Sequence, residues 1–251
     1  MKIQINTLCF QYWRRFFFCL SSLVEQIEPK PEISIRINTC LSNDKYGYMQ
    51  RGTHRIFSKL LDLQWIDWKP DSGYDIRENI RNRDLAEINN DSDLMLWIDP
   101  DQIIDPCHFN YLFNRSNQLI QSKKVMSIAR RDIPFDESNG IIKHYSYRRP
   151  VNNCLNIALN SNSCCNRRTI GAGYYQLVSV KTLKENSITK YSEYAPDRSM
   201  WTTSRVRFKT WSDIWFRGKL GVCKLKKCPQ VYHLDHLRGN DRLVYFKSDS
   251  L

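Results

Sequence analysis

Two aspartates separated by one proline are the residues of this chain whose type and spacing best suit chemistry. The apolar run from Leu94 to Ile98 leads directly into Asp99-Pro100-Asp101. Two neighbouring carboxylates repel each other unless a cation lies between them, and a divalent metal that carries a phosphate is a common solution. The alternative is that Asp99 and Asp101 cap a helix that begins near Asp105, because acidic residues are frequent at helix starts.

The apolar run before these aspartates indicates how they are positioned. Its sequence, LMLWI, is typical of a strand that is buried on both faces, as in a parallel sheet. The two carboxylates would then lie at the carboxyl end of that strand, where open α/β sheets bind their ligands.

Strands and helices alternate through the first half of the chain, which predicts a mostly parallel, Rossmann-like central sheet flanked by helices. Strands are predicted at residues 2–10, 33–37, 63–68, 94–98 and 125–129, and helices at 12–26, 54–61, 76–88 and 105–113. Residues 131–168 are polar and irregular, so we expect a long loop there with one hairpin at most. Strand character returns at 170–180, and we expect a helix at 212–220 and a strand at 230–232 to complete the fold.

The composition indicates a globular protein with an excess of positive charge. The 251 residues are 41% hydrophobic and carry a formal net charge of +12, with a sequence pI near 9.3. This charge attracts anions, and nucleotide phosphates, nucleic acid and an anionic membrane surface all fit. The nine cysteines form no regular framework, which favours reduced thiols, and no signal peptide or membrane span is recognisable. We therefore expect a soluble, cytoplasmic protein.

Several short motifs occur in a characteristic order along the chain. They are Ile80 to Ala86 (IRNRDLA), Trp97 to Asp101 (WIDPD), Gly171-Ala172-Gly173, Ser212 to Arg217 (SDIWFR) and His233 to His236 (HLDH). In this order the motifs resemble the GT-A glycosyltransferases, most closely glycosyltransferase family 2. The resemblance implies a single GT-A-type domain over residues 1–251. Its nucleotide-sugar-binding half would be residues 1–130, and residues 131–251 would bind the acceptor and supply the catalytic base.

The resemblance also implies an activity and a metal cofactor. The activity is transfer of a sugar, with inversion, from a nucleotide diphosphate donor such as a UDP- or GDP-sugar to a hydroxyl of a carbohydrate or glycoconjugate. The metal is Mn²⁺ or Mg²⁺, which neutralises charge on the departing diphosphate as a Lewis acid. Asp101 is the implied metal ligand, Asp99 lies nearer the ribose or the metal, and His233 or His236 completes the site.

The catalytic base implied by the resemblance is Asp213. Inversion needs a base that deprotonates the acceptor hydroxyl on the face opposite the leaving group. Ser212 replaces the first acid of the family's acidic pair, so Asp197 stays open as an alternative base. Trp211 and Trp215 flank Asp213 and would serve either as a stacking platform for a sugar or as core residues.

Two further residues are implied to contact the nucleotide. Arg81 lies on the predicted helix that faces the nucleotide in such folds, where it would contact phosphate or base, although an ordinary surface arginine is equally compatible. Asn38 follows the second strand, at the position where an aspartate commonly reads the nucleobase in the family. Asp44, further along the same loop, is the acidic alternative.

Other functions and sites remain open from the sequence. Cys223, Cys228, His233 and His236 have ligand types that suit structural zinc, but their spacing matches no usual zinc finger. A basic nucleic-acid-binding protein fits the charge and the tyrosines, although no recognition motif is present and we expect no nucleic-acid partner. The positive charge also leaves open a peripheral association with an anionic membrane surface.

Glycine-rich phosphate loops of the two common kinds are absent from the sequence. P-loop nucleotidases and dinucleotide dehydrogenases are therefore not supported. A sugar nucleotidyltransferase of GT-A fold is a further alternative. Such enzymes typically have a glycine-rich loop after the first strand. Residues 7–11 (TLCFQ) contain no glycine, which argues against it.

Overall fold

The structure is a computed structural model that describes residues 1–9, 12–39, 47–67, 76–143, 145–160, 175–189 and 219–234. The described strands are β1 (Lys2–Leu8), β2 (Glu32–Thr39), β3 (Asp62–Asp67), β4 (Leu94–Ile98), β5 (Gln102–Ile104), β6 (Val125–Ser127), β7 (Arg130–Ile133), β8 (Tyr175–Ser179), β9 (Val222–Lys224) and β10 (Val231–Leu234). The described helices are α1 (Trp13–Val24), α2 (Gly47–Phe57), α3 (Ile76–Ala86), α4 (His108–Phe113), α5 (Ser116–Ile120), α6 (Phe135–Lys143), α7 (Cys154–Leu159) and α8 (Val180–Glu185).

The central sheet has seven strands in the order β3-β2-β1-β4-β8-β6-β9. Strand β1 pairs in parallel with both β2 and β4, and β2 pairs in parallel with β3. Strand β8 is antiparallel to β4 and β6. The expectation of a mostly parallel α/β sheet is therefore confirmed. Because β2 and β4 lie on opposite sides of β1, the strand order reverses there, and such reversals open a crevice at the carboxyl ends of the strands.

Helix α1 connects the central sheet to the second sheet of the molecule. Its aromatic and aliphatic side chains are almost all buried, and they join those of β1, β2 and β5 in the main core. Two serines in this apolar helix are fully buried as well. Ser22 Oγ accepts a hydrogen bond of 3.0 Å from the backbone N–H of Ile104 in β5. Ser21 Oγ accepts one of 3.0 Å from the N–H of Val151. The buried hydroxyls are satisfied, and they connect α1 to β5 and to the residues that precede α7.

The second sheet has three strands in the order β5-β10-β7. Strand β10 is antiparallel to β5 and parallel to β7. In this register His233 lies opposite Gln102 on one side and opposite Asp132 on the other. This sheet therefore brings the late histidine motif next to the residues that follow β4.

Several predicted elements differ from the structure. The prediction of an irregular loop at 131–168 is wrong over its described part, which contains β7, α6 and α7. The helix predicted from residue 105 begins at His108, and the unpredicted strand β5 precedes it. Helix α2 begins at Gly47, earlier than predicted. Most of the predicted helix at 212–220 lies outside the described residues. Within the described part of the chain, no helix is long and apolar enough to cross a membrane.

Candidate active site

Asp99 and Asp101 lie between β4 and β5, at the carboxyl end of the buried strand β4. All residues of β4 are buried, as the apolar run predicts. Asp99 is half-buried, whereas Asp101 is only 4% exposed. Because Asp101 leads into strand β5 and helix α4 begins only at His108, the helix-cap interpretation of these aspartates is wrong. Asp105 makes the local turn contact instead, since its Oδ1 accepts from the N–H of Cys107 at 2.8 Å.

A buried histidine joins Asp101 to a second carboxylate. His233 Nε2 lies 3.2 Å from Asp101 Oδ2, and His233 Nδ1 lies 3.0 Å from Asp132 Oδ1. Arg130 forms an ion pair with the same Asp132 oxygen, with its Nε at 3.0 Å. We call Asp101, Arg130, Asp132 and His233 the histidine cluster. Asp101 directly precedes β5, Arg130 and Asp132 lie on β7, and His233 lies on β10, so the second sheet positions the cluster.

The charges of the histidine cluster control the protonation of its imidazole. Burial alone lowers the pKa of His233, because a charged ring loses its hydration. The negative charge and hydrogen bond of Asp101, together with the hydrogen bond to Asp132, outweigh burial and raise the pKa of His233 to about 9. At neutral pH the structure therefore holds an imidazolium between two carboxylates.

The donor atoms of the histidine cluster suit a hard or borderline divalent cation. The 3.2 Å between His233 Nε2 and Asp101 Oδ2 is close to the separation of adjacent octahedral ligands, about 3 Å for metal–ligand bonds of about 2.1 Å. Among the described residues, no three His, Cys, Asp or Glu side chains are grouped so that they could hold a metal by themselves. Mg²⁺ is commonly bound by one or two carboxylates with water and phosphate oxygens, so Asp101 and His233 fit a site that a bound phosphate completes.

A second buried polar group lies between β2, α3 and β4. Asp84 accepts from the side-chain amide of Asn38 at 3.2 Å and from the indole N–H of Trp97 at 3.1 Å. Arg36 Nε lies 3.4 Å from Asp84 Oδ1. Arg83 Nη2 donates to the Asn38 side-chain oxygen at 2.6 Å. We call Arg36, Asn38, Arg83, Asp84 and Trp97 the Asp84 cluster.

The Asp84 cluster follows from the alternation of β2. Ile35 and Ile37 point to the apolar face that packs with α1, so Arg36 and Asn38 point to the opposite face, toward α3. Burial raises the pKa of Asp84 to about 6, although the bonds from Asn38, Arg36 and Trp97 oppose this shift. The carboxylate is thus held by donors on several sides and is still less readily ionised than an exposed aspartate.

The structure separates the sequence-predicted site residues into two groups. Asp101 and His233 are in direct contact, with Asp99 two residues away in the chain. Asn38 is fully buried in the Asp84 cluster, and Arg81 is 5% exposed on α3. The surface-arginine interpretation of Arg81 is therefore wrong. Contact of Asn38 or Arg81 with a nucleotide stays a prediction.

The remaining predicted residues lie outside the part of the chain that the structure describes. These are the base candidates Asp213 and Asp197, the flanking Trp211 and Trp215, the loop residue Asp44 and the histidine His236. Their roles stay predictions.

Among the described histidines, His108 is buried as well and shows what a purely structural environment does to the same ring. Its Nε2 lies 2.8 Å from the Tyr175 hydroxyl, and its Nδ1 lies 3.0 Å from the Pro229 carbonyl. Burial lowers the pKa of His108 to about 4. The Cys228 thiol lies 3.5 Å from His108 Nδ1, whereas His233 faces carboxylates. Cys228 and His233 thus have different partners, and the described residues give no support to a zinc site that contains both.

Asp132 is the carboxylate of the histidine cluster that sequence reasoning missed. It falls in the segment that was predicted as irregular, after two arginines, and nothing in RRDI distinguishes it from a solvated charge. The available signal was the pairing of a short strand with the late histidine motif, since Asp132 and His233 are register partners. That pairing spans about a hundred residues and is not visible in local sequence.

Comparisons with known proteins identify the fold. No family model matches the chain, and no curated protein matches it in sequence. A solved structure of Staphylococcus aureus TarS residues 1–349 in complex with UDP-GlcNAc superposes with a TM-score of 0.58 at 18% identity, covering 97% of this chain and 61% of that one. The same TarS segment with UDP gives 0.55 at 18% identity, over 92% and 60%. A longer TarS structure gives 0.55 at 17% identity, over 93% and 36%.

The superpositions involve nearly all of this chain but only part of TarS. The chain spans about three fifths of the TarS 1–349 segment. At this level of identity, the likeness concerns the arrangement of strands and helices, and membership of family 2 stays a prediction. The central sheet, its flanking helices and these superpositions show that the chain has the GT-A-type fold of glycosyltransferases.

Proposed function

We propose that this protein is a glycosyltransferase that uses a nucleotide diphosphate sugar as donor. One observation carries the proposal: in a GT-A-type fold, the carboxyl end of β4 presents buried Asp101 in contact with His233. This end of β4 borders the reversal of strand order at β1, where open α/β sheets bind nucleotides. The charge of +12 favours an anionic donor.

The proposed donor needs a cation beside Asp101, because a diphosphate and a carboxylate repel each other. Asp101 and His233 would hold Mn²⁺ or Mg²⁺, with Asp99 and His236 as further candidate ligands. When bound, the metal supplies Lewis-acid neutralisation of the leaving diphosphate. Asp101 and His233 fix its place at the end of β4, and Arg81 and Asn38 are the candidates for contact with the nucleotide.

We further propose that transfer proceeds with inversion onto a carbohydrate or glycoconjugate hydroxyl. Inversion requires a base opposite the leaving diphosphate, and Asp213 is the candidate. The base removes the hydroxyl proton while the acceptor oxygen forms its bond to the anomeric carbon, and the diphosphate leaves with the electron pair of the broken bond. TarS has been crystallised with UDP and with UDP-GlcNAc, so UDP-sugars are the first donors to test.

The proposal is tested by donor hydrolysis and UDP binding with and without Mn²⁺. A panel of UDP- and GDP-sugars is incubated with the protein, and released nucleotide is measured. We expect slow, metal-dependent release from at least one donor. Asp101→Asn should lower that release by at least about 100-fold, since the metal contributes several kcal/mol to such reactions.

Asp91→Asn is the matched control for this experiment. Asp91 is exposed in the turn before the amino end of β4, at the opposite edge of the sheet from Asp101. It should release nucleotide at the wild-type rate. The proposal is wrong if no nucleotide sugar binds, or if Asp101→Asn and Asp91→Asn behave alike. Salt-sensitive binding of nucleic acid without any nucleotide-sugar binding would favour the alternative of a nucleic-acid-binding protein.

A further inference from the structure

The imidazole of His233 is held from both sides by the small sheet. Strand β10 lies between β5 and β7, so His233 has Gln102 as one register partner and Asp132 as the other. The side chains of His233, Asp101 and Asp132 are 4%, 6% and 7% exposed. A ring in such a place has little freedom to turn, and its orientation is set by the atoms that its two nitrogens meet.

We propose that Asp132 is a positioning residue that holds the His233 ring with Nε2 directed at Asp101, so that the two side chains form a pair of cation ligands when a cation displaces the Nε2 proton. The inference rests on the proposed function, because it concerns the metal that the donor diphosphate requires. It adds a residue that no motif of the sequence indicated. Asp132 acts through His233 and touches neither donor nor acceptor.

The hydrogen bond at Nδ1 determines which nitrogen is available to a metal. A carboxylate oxygen only accepts, so the 3.0 Å contact between Asp132 Oδ1 and His233 Nδ1 requires the proton on Nδ1. The 3.2 Å contact between His233 Nε2 and Asp101 Oδ2 likewise has a proton on Nε2 in the imidazolium, so a cation that binds Nε2 displaces that proton while Asp132 keeps the one on Nδ1. Metal-binding histidines commonly have such a carboxylate on their other nitrogen, which fixes the ring and makes it more basic.

Arg130 stabilises Asp132 in this position. Arg130 and Asp132 lie two residues apart on β7, so both side chains point to the same face of the strand. The guanidinium Nε lies 3.0 Å from the Asp132 oxygen that also meets His233. A cation beside a buried carboxylate favours its ionised form, which is the form that accepts from the imidazole. The pair thus anchors the ring to β7.

A purely structural role for Asp132 makes a different prediction from a positioning role. If the Asp132–His233 bond only stabilises the small sheet, its loss lowers the free energy of unfolding and leaves cation affinity unchanged in the folded protein. If Asp132 positions His233, its loss weakens the cation site, and it does so only while His233 is present. A double-mutant cycle separates these two roles.

The test measures Mn²⁺ affinity by electron paramagnetic resonance of free Mn²⁺, with the full chain and saturating UDP. We expect Asp132→Asn to weaken Mn²⁺ binding about 10- to 100-fold, the usual range for loss of such a partner. Asp136→Asn, an exposed aspartate in the first turn of α6, is the matched control and should bind Mn²⁺ like wild type. In a His233→Ala background, Asp132→Asn should have no further effect.

The outcomes separate this inference from the proposed function. Mn²⁺ binding that depends on Asp101 but stays within about twofold of wild type in Asp132→Asn overturns the inference alone. An equal effect of Asp132→Asn with and without His233 also overturns it. Failure of the wild type to bind Mn²⁺ with UDP overturns the proposed metal site and the inference with it. Should Asp132→Asn not fold, Asp132→Glu takes its place, because it keeps the charge and displaces the accepting oxygen by one methylene.

Discussion

The histidine cluster and the Asp84 cluster are both buried and charged, but they differ in what surrounds the carboxylate. In the Asp84 cluster, one carboxylate meets donors from Asn38, Trp97 and Arg36. In the histidine cluster, two carboxylates share one imidazole, and Arg130 forms an ion pair with Asp132. At neutral pH the imidazolium and Arg130 offset these two carboxylates, whereas a neutral imidazole would leave an excess of negative charge. Asp84 is thus held by neighbouring donors, whereas the histidine cluster depends on the positive charge of its ring, which a bound cation would have to replace.

The same burial has opposite results in the two clusters. Burial favours the neutral form of an ionisable group. At Asp84 burial prevails over the donors around it, and the pKa of the carboxyl is raised to about 6. At His233 the two carboxylates prevail over burial, and the pKa of the imidazole is raised to about 9. The histidine cluster therefore favours a positive charge on or beside its ring. In the Asp84 cluster, the ionised carboxylate is less stable than that of an exposed aspartate.

The largest expected effect comes from removing the cation of the Asp84 cluster. Arg36→Met leaves the ionised Asp84 buried without its nearest cation, since their side chains are 6% and 1% exposed. We expect the free energy of unfolding at pH 8 to fall by about 3–5 kcal/mol, as for other broken buried pairs. Urea denaturation followed by tryptophan fluorescence measures this loss.

The corresponding change in the histidine cluster serves as the comparison. Asp101→Asn removes one of two carboxylates from His233, but Asp132 still pairs with the ring. The free energy of unfolding should therefore fall by less than in Arg36→Met, because the ring can release its proton and keep its bond to Asp132, even though the proposed activity is lost. Equal losses of stability in the two variants would contradict the distinction between a self-stabilised cluster and a cation site.

The titration of Asp84 should appear in the pH dependence of stability. Its pKa is raised from 3.8 to about 6 by burial, so between these values the folded state keeps a proton that the unfolded state has released. Stability from this group is fully present below pH 3.8 and is lost as pH rises through about 6. We expect a loss on the order of 2–3 kcal/mol from this residue.

The measurement compares wild type with Asp84→Asn by urea denaturation from pH 4 to pH 8. The difference between their unfolding free energies should change across this range, because only the wild type titrates at position 84. A constant difference would show that Asp84 is ionised throughout. The cost of Arg36→Met should likewise be smaller at pH 5 than at pH 8, since a protonated Asp84 needs no cation.

Local pattern was sufficient for much of the fold. The apolar run of β4 and the alternation of β2 are strong periodic signals, and both strands are in the structure near the predicted residues. The chain between residues 130 and 160 was mispredicted for a physical reason. Strand β7 has the sequence RRDI and α7 has only six residues, so neither shows a clear period, and pairing with β10 and packing against α1 stabilise them instead.

The candidate site also has residues that the sequence predicts and residues that it does not. The motif resemblance predicts Asp101 and either His233 or His236 as partners, and the structure places Asp101 in contact with His233, while His236 lies outside the described residues. Asp132 was not predicted, because its importance depends on register with a strand far along the chain. The position of Asn38 after β2 predicts contact with the nucleobase, which stays a prediction, and the structure adds that its side chain bonds to Asp84 and Arg83. Sequence position indicates the end of the strand, and only packing shows where the side chain points.

The smallest expected effect tests where the Asp84 cluster ends. Glu87 also forms an ion pair with Arg36, but its side chain is 53% exposed. Water and salt screen such a pair, so Glu87→Gln should lower the free energy of unfolding by about 0.5 kcal/mol or less. The same urea titration measures this change, and repeating it in 1 M NaCl should remove most of it, because exposed pairs are screened at that ionic strength. A loss of several kcal/mol would mean that Arg36 depends on Glu87 for its position, and the cluster would then extend to the surface. A small loss would mean that the cluster ends at Arg36 and its buried partners. The donors around Asp84 would then be sufficient to hold its carboxylate.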